Sequence, residues 1–160
     1  MNWTHTVMHR TSLLIAAIAL AGCASMGANK PLEVRLSGDQ EVPPVSTKAT
    51  GTATLTVAAD KSVTATIRTQ GVVGVAAHIH QGAAGANGPV IVPLDKTGEN
   101  EWSSKAGAKL TDAQYDAYKA GGLYFNVHSA ANKGGEIRGQ IRPSGGSSGG
   151  YNEPRPQVAY

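Results

Sequence analysis

Apolar and polar side chains alternate with a period of two along several short segments between Leu32 and Arg142. Such alternation is typical of antiparallel strands that bury one face and expose the other to water. Gly, Pro and Asn residues between the segments indicate turns. The pattern therefore predicts an all-β fold, an antiparallel Greek-key-like β-sandwich or a flattened barrel. The clearest alternating positions are Leu32, Val34 and Leu36, then Ala53, Leu55 and Val57, then Val63, Ala65 and Ile67.

One segment departs from this alternation and predicts a short helix. Thr111-Asp112-Ala113-Gln114 has the residue types of a capping box, in which the first and fourth side chains satisfy backbone N–H groups of the first turn. Leu110 and Tyr115 have the spacing of a hydrophobic staple across the helix start. We expect the helix to run to about Lys119, with Gly121 able to end it.

The N-terminal segment has the composition of an export signal. Arg10 precedes an uninterrupted apolar run, residues 13–21, which is too short to be a stable membrane span. The run ends in Leu-Ala-Gly-Cys23, which resembles the bacterial lipoprotein signal, in which the cysteine becomes the lipidated first residue. We expect a lipid anchor on Cys23 in the bacterial cell envelope, at the outer membrane and facing the periplasm or the cell surface. A plain secretory cleavage that leaves Cys23 as a free thiol is the alternative, and Met8 could be the start.

Composition divides the chain into four segments. The Gly/Ser-rich stretch after the β domain is typical of a flexible linker, and the tail beyond it is expected to be disordered. The predicted segments are a lipoprotein signal peptide at 1–22, a tether at 23–31, a β domain at 32–143 and a linker with a tail at 144–160.

Cysteine usage and charge exclude two classes of protein. Cys23 is the chain's one cysteine, so an intramolecular disulfide cannot form and the β domain must be held by its core. The net charge is +3, without a Lys/Arg cluster or aromatic residues interleaved with basic ones. Nucleic-acid binding is therefore not expected.

Three histidines of the β domain are placed to converge. His78 and His80 stand in Ala-His-Ile-His, so in a strand both imidazoles lie on one face. His128 ends Tyr-Phe-Asn-Val-His, in a predicted neighbouring strand whose apolar residues take the opposite, core face. All three are expected on the wet face, opposite the core. Three imidazoles that can converge are what copper or zinc requires.

Copper is the expected ion, with zinc as the second choice, because Cu(II) outcompetes other divalent ions at an unconstrained nitrogen site. Glu41, Glu136 and Asn126 are candidates for a fourth ligand or for an outer partner that fixes an imidazole tautomer. Each of the three is more readily explained as a surface or turn residue. The sequence shows neither a general base nor a substrate cleft, so no catalytic residue is assigned.

Four motifs occur in a fixed order in the β domain, and together they resemble the CHRD domain, named after chordin and common in exported bacterial proteins. The resemblance spans about 110 residues, from Leu36 to Pro143, and implies an extracytoplasmic β-sandwich while leaving the biochemical role open. The motifs are Glu41-Val42-Pro43-Pro44, Ala77-His78-Ile79-His80-Gln81-Gly82 with Gly88-Pro89-Val90, Tyr124-Phe125-Asn126-Val127-His128, and Gly134-Gly135-Glu136-Ile137-Arg138-Gly139-Gln140-Ile141.

The histidine pattern also looks like the copper ligands of copper,zinc superoxide dismutase, which has His-x-His on one strand and a distant Val-His. That likeness implies a copper site outside the barrel, with Arg138 parallel to the anion-guiding arginine of that family. The β domain departs from it in having no fourth histidine to bridge two metals and no set of zinc ligands, and the chain has no disulfide pair; His5 and His9 lie in the predicted signal peptide. A dinuclear site is therefore not expected, and dismutase activity is in doubt.

Three functions are compatible with these observations. The first is an exported, lipid-anchored protein that binds one copper-type ion for capture, delivery or buffering, with an envelope protein or a metal-delivery protein as partner. The second is a non-catalytic adhesion or envelope-interaction module in which the histidines have no joint role. The third is a degenerate superoxide dismutase-like copper enzyme, although a non-enzymatic role is the stronger expectation.

Overall fold

The computed structural model describes Met1 and residues 30–143 of the 160-residue chain. The predicted signal peptide, the lipidation site Cys23, most of the tether and the linker with its tail lie outside the described residues. The eight strands are β1 Leu32–Ser37, β2 Thr50–Val57, β3 Val63–Gln70, β4 Gly74–Gln81, β5 Val90–Gly98, β6 Glu101–Ser104, β7 Leu123–Ser129 and β8 Ile137–Ile141.

The eight strands form a closed antiparallel barrel with the order β1-β2-β3-β6-β5-β4-β7-β8. Strands β4, β5 and β6 follow one another along the chain and in the sheet, and β7 then returns to lie beside β4. This arrangement is a Greek key, and closure leaves no exposed sheet edge. The predicted all-β, flattened-barrel fold is thereby confirmed.

The alternating residues form the barrel core, as their period predicts. In β3 every second residue is buried and the residues between are exposed, because successive side chains of a strand point to opposite faces. Phe125 of β7 is completely buried, and Trp102 of β6 packs in the same cluster. Alternation in the sequence does not delimit β5, because its C-terminal half is polar and exposed. It does not delimit β6 either, since that strand has four residues.

The predicted helix is present as α1, Asp112–Lys119, with the capping box formed in full. The Thr111 side chain accepts a hydrogen bond from the Gln114 N–H, and the Gln114 side chain accepts one from the Thr111 N–H. Gly121 follows the helix with a φ of 73°. Among the described residues no helix is long and apolar enough to cross a membrane.

The outer face of β7 and β8 is covered, which the alternation did not predict. Most residues of both strands are buried on either face. A 3-10 helix, Gly38–Gln40, lies beside β8, and Glu41, which follows it, is hydrogen-bonded to Asn126 of β7. The loop at residues 82–88 bonds to side chains of β7 and β8. The expectation of a solvent-exposed outer face was therefore wrong on this side of the barrel, because segments that are distant in the sequence cover β7 and β8 and exclude water from them.

Candidate metal site

The pairing of β4 with β7 brings the three histidines together. Ala76 is paired with His128, and His78 with Asn126, in an antiparallel register. Side chains of directly paired and neighbouring positions on one face are within reach of each other. The predicted adjacency of His128 to the His-x-His pair is therefore confirmed.

One potential ligand atom from each imidazole lies within 4.8 Å of the other two. The ring centroids are 5.5 Å apart for His78 and His80, 5.0 Å for His78 and His128, and 6.0 Å for His80 and His128. His78 and His128 are half-buried, whereas His80 is only 8% exposed. His78 and His128 are thus partly accessible to solvent, and the expectation that all three histidines are exposed was wrong for His80.

Backbone carbonyls determine the tautomers of two of these rings. The Nδ1 of His80 lies 2.9 Å from the carbonyl oxygen of Gly88, and the Nδ1 of His128 lies 2.9 Å from that of Lys133. A carbonyl only accepts a hydrogen bond, so both Nδ1 atoms carry a proton, and in the neutral rings both Nε2 atoms carry a lone pair. Metal-ligating histidines commonly have such a carbonyl partner on the ring nitrogen that does not bind the metal.

The remaining nitrogens face into the cluster. The Nδ1 of His78 lies 3.1 Å from the Nε2 of His128, and since that Nε2 has no proton, His78 donates this hydrogen bond. The Nε2 of His80 is buried without a hydrogen-bond partner. Buried polar atoms are nearly always paired, so this unpaired imidazole lone pair, beside two other histidines, is compatible with the role of a metal ligand.

The electrostatics of the cluster favour the neutral form of His78 and His80. Burial, followed by the proximity of His128 and His80, lowers the pKa of His78 to about 4. Burial is also the main cause that lowers the pKa of His80. Neutral imidazole is the form that binds a metal ion.

Irregularities in the β4 pairing surround the site. The register of β4 with β5 shifts between Ile79 and His80, and the register of β4 with β7 shifts between Gly74 and Ala76. Such bulges re-aim side chains and are common beside functional sites. One shift precedes the histidine pair and the other falls between His78 and His80, a feature that strict alternation in the sequence does not reveal.

Asn126 and Glu41 form a buried pair next to the histidines. The Nδ2 of Asn126 donates a 2.7 Å hydrogen bond to the Oε1 of Glu41, and the two residues are 2% and 5% exposed. The interpretation of these two residues as surface residues was therefore wrong, although Glu41 does lie in a bend, directly after the 3-10 helix. The amide is oriented by Glu41 and leaves the Oδ1 of Asn126 buried without a partner.

The two candidate carboxylates have opposite electrostatic environments. Burial raises the pKa of Glu41 to about 7, against the opposing effect of Arg138. Hydrogen bonds, first of all that of Ser129, lower the pKa of Glu136, whose Oε1 also accepts a bond from the Thr47 hydroxyl. Within residues 30–143 the cluster of potential ligand atoms contains the three histidines and neither carboxylate.

Arg138 is 1% exposed and is not available to guide anions from solution. Its guanidinium carbon lies 3.5 Å from the ring centroid of Tyr124, and Tyr124 stacks on His80 at 4.9 Å with an interplanar angle of 11°. The parallel with an exposed, anion-guiding arginine was therefore wrong. Sequence reasoning missed Tyr124 and Gly88 as neighbours of the site, since the Tyr124 contact depends on the β4–β7 register and the Gly88 contact on the path of the loop at residues 82–88.

The family model of the CHRD domain matches residues 32–141. The chain belongs to the CHRD family. The matched residues run from the start of β1 to the end of β8, so the family domain is the whole barrel. Comparison with curated proteins and with solved structures gave no match in either set.

Proposed function

We propose that this CHRD protein binds one copper-type ion through His78, His80 and His128, for capture, delivery or buffering of the metal. The supporting observation is the buried, unpaired Nε2 of His80 in a cluster whose ligand atoms lie within 4.8 Å of one another. The ligand set in this proposal is the Nδ1 of His78 and the Nε2 atoms of the other two histidines.

The nitrogen–nitrogen distances support a single shared ion once the imidazoles rotate toward it. Two nitrogens that are each bound at ~2.0–2.1 Å to a tetrahedral ion lie about 3.3 Å apart. The Nδ1 of His78 and the Nε2 of His128 are already 3.1 Å apart. Binding requires the proton of His78 to move to its other nitrogen, because its Nδ1 donates a hydrogen bond in the metal-free site.

An all-imidazole site favours copper over the other divalent ions, and zinc is the second choice. The described ligand cluster contains neither thiolate nor carboxylate, so the donors do not select for a harder ion. We do not propose dismutase activity, because Arg138 is buried against Tyr124 and cannot act as an exposed anion guide.

We further propose that the protein is anchored by lipid on Cys23 in the bacterial envelope, where an envelope protein or a metal-delivery protein would exchange metal with it. The Leu-Ala-Gly-Cys sequence supports the anchor. Metabolic labelling with a clickable fatty acid tests it: label is expected on the native chain and not on Cys23→Ser, and equal labelling of both would contradict the anchor.

The metal proposal is tested by titrating residues 24–160 with Cu(II) and Zn(II) beside a variant with all three histidines changed to alanine. One copper per chain is expected in the native protein and none at comparable affinity in the variant. The matched control changes Thr52, Thr54 and Thr66 to alanine, because these exposed residues lie on β2 and β3, across the barrel from β4 and β7. Unchanged copper affinity in a folded triple histidine variant would refute the proposal.

A further inference from the structure

The imidazole of His80 is hydrogen-bonded to Gly88, and Gly88 is in turn hydrogen-bonded to Tyr124. Gly88 accepts a hydrogen bond from the Nδ1 of His80 at its carbonyl and donates one from its N–H to the hydroxyl oxygen of Tyr124, at 3.1 Å. Tyr124 in turn stacks its ring on His80. The position of the carbonyl that sets the His80 tautomer therefore depends on the hydroxyl of Tyr124.

The loop at residues 82–88 is closed tightly at Gly88. A Cβ added to Gly88 would lie 1.7 Å from the carbonyl oxygen of Gln81, so only glycine permits this approach of the two backbone segments. The N–H of Gln81 also donates a hydrogen bond to the carbonyl of Pro89. The two ends of the loop are thereby joined directly beside His80.

Arg138 holds the same loop from the side of β8. Its Nη2 donates a 3.0 Å hydrogen bond to the carbonyl of Ala83, and its Nη1 lies 3.4 Å from the Oδ1 of Asn87. The guanidinium also lies over the ring of Tyr124, where a cation is attracted by the π-electrons. One buried cation thus contacts both the loop and the aromatic ring that stacks on His80.

We infer that Tyr124 and Arg138 are positioning residues that hold His80 as the Nδ1–H tautomer, with its Nε2 lone pair directed at the metal. The inference rests on the proposed metal site for its functional meaning. If the carbonyl of Gly88 moves, His80 loses the acceptor that selects this tautomer and also populates the Nε2–H form. That form cannot bind the ion until the proton moves. Loss of such an outer partner typically lowers metal affinity by about 10- to 100-fold.

The experiment compares Tyr124→Phe and Arg138→Lys with the native full chain. Tyr124→Phe keeps the stacked ring and removes the hydroxyl that accepts the Gly88 N–H bond. Arg138→Lys keeps the charge but replaces a planar group with several donors by a single ammonium. The control is Arg142→Lys, because Arg142 is an exposed arginine of the same terminal stretch. If Arg138→Lys does not fold, Asn87→Ala takes its place, since Asn87 is exposed and contacts the guanidinium.

Two readouts are recorded for each protein. The tautomer of His80 is read in the metal-free state from long-range ¹H–¹⁵N NMR correlations of the imidazole, and Cu(II) affinity is measured by competition with a chelator. We expect the Nδ1–H form in the native chain and in Arg142→Lys. In the two test variants we expect a mixture of tautomers and a copper affinity that falls in proportion to the loss of the Nδ1–H form, up to the 10- to 100-fold that loss of the Gly88 acceptor itself would cause. A change that only lowered global stability would leave the tautomer of the folded protein unchanged.

Failure of this inference is distinguishable from failure of the metal site. A pure Nδ1–H tautomer and native copper affinity in both test variants would overturn the inference. Absence of copper binding by the native chain would refute the metal site, and the tautomer of His80 in the metal-free variants would still decide whether Tyr124 and Arg138 position the ring.

Discussion

Replacing Glu41 by glutamine should change the pH dependence of stability in a defined direction. Glu41 is 5% exposed, and burial raises its pKa from 4.5 to about 7 in the folded protein. The folded state therefore retains a proton that the unfolded state releases between these two values. The contribution of Glu41 to the free energy of unfolding is fully present below pH 4.5 and is lost as the pH rises through 7.

The size of this effect follows from the two pKa values. Stability falls by at most 1.36 kcal/mol per pH unit for one proton, and rounding of the two titration curves reduces the change between pH 4.5 and 6.5 to about 2 kcal/mol. His78 has the opposite sign, because its pKa is lowered from 6.5 to about 4. Its contribution is present above pH 6.5 and falls by about 2 kcal/mol as the pH falls from 6.5 to 4.5. In the native protein the two effects largely cancel.

The assay is urea unfolding of the metal-free protein, with a chelator present, at pH 4.5, 5.5 and 6.5. Glu41→Gln removes the contribution of Glu41, which falls as the pH rises. The free energy of unfolding of this variant, relative to that of the native protein, should therefore rise by about 2 kcal/mol as the pH is raised from 4.5 to 6.5. Glu33→Gln is the matched control, because Glu33 is an exposed carboxylate of β1, and its curve should stay parallel to the native one.

A parallel curve for Glu41→Gln would refute the reasoning, because it would mean that Glu41 has the same proton affinity in the folded and unfolded states. A relative stability that falls with rising pH would show that the buried carboxylate is ionised, with its charge stabilised by Arg138 and by the amide of Asn126.

Three further measurements test the capping, packing and metal arguments. Thr111→Ala removes the oxygen that accepts the Gln114 N–H bond and should lower the free energy of unfolding by about 1 kcal/mol; no loss would contradict the capping argument. Gly139→Ala places a Cβ 2.6 Å from the carbonyl oxygen of Arg35 and should cost about 1–3 kcal/mol in urea unfolding, so native stability would show that the barrel relaxes there. Copper at 100 times its Kd should stabilise the native protein by about 2.7 kcal/mol, seen as a higher Tm, and an equal rise in the triple histidine variant would place the copper elsewhere.

Local patterns in the sequence were sufficient to predict several strands, the helix and one part of the site. Alternation predicted β1, β2 and β3 because a strand that buries only one face has apolar residues with a period of two. The Thr111–Gln114 capping box predicted the start of α1 because its hydrogen bonds are local. His78 and His80 share a face in any strand that contains them, whichever strands lie on either side.

Only the tertiary structure decided the rest of the site. The approach of His128 depends on the β4–β7 pairing, which joins residues about fifty positions apart and has no local signature. The burial of Glu41, Asn126 and Arg138 depends on segments that cross the outer face of β7 and β8, and alternation describes only what a strand presents, not what covers it. The residue types of the histidine cluster are therefore determined by the sequence, whereas its tautomers, its buried neighbours and its exposure are determined by contacts between distant parts of the chain.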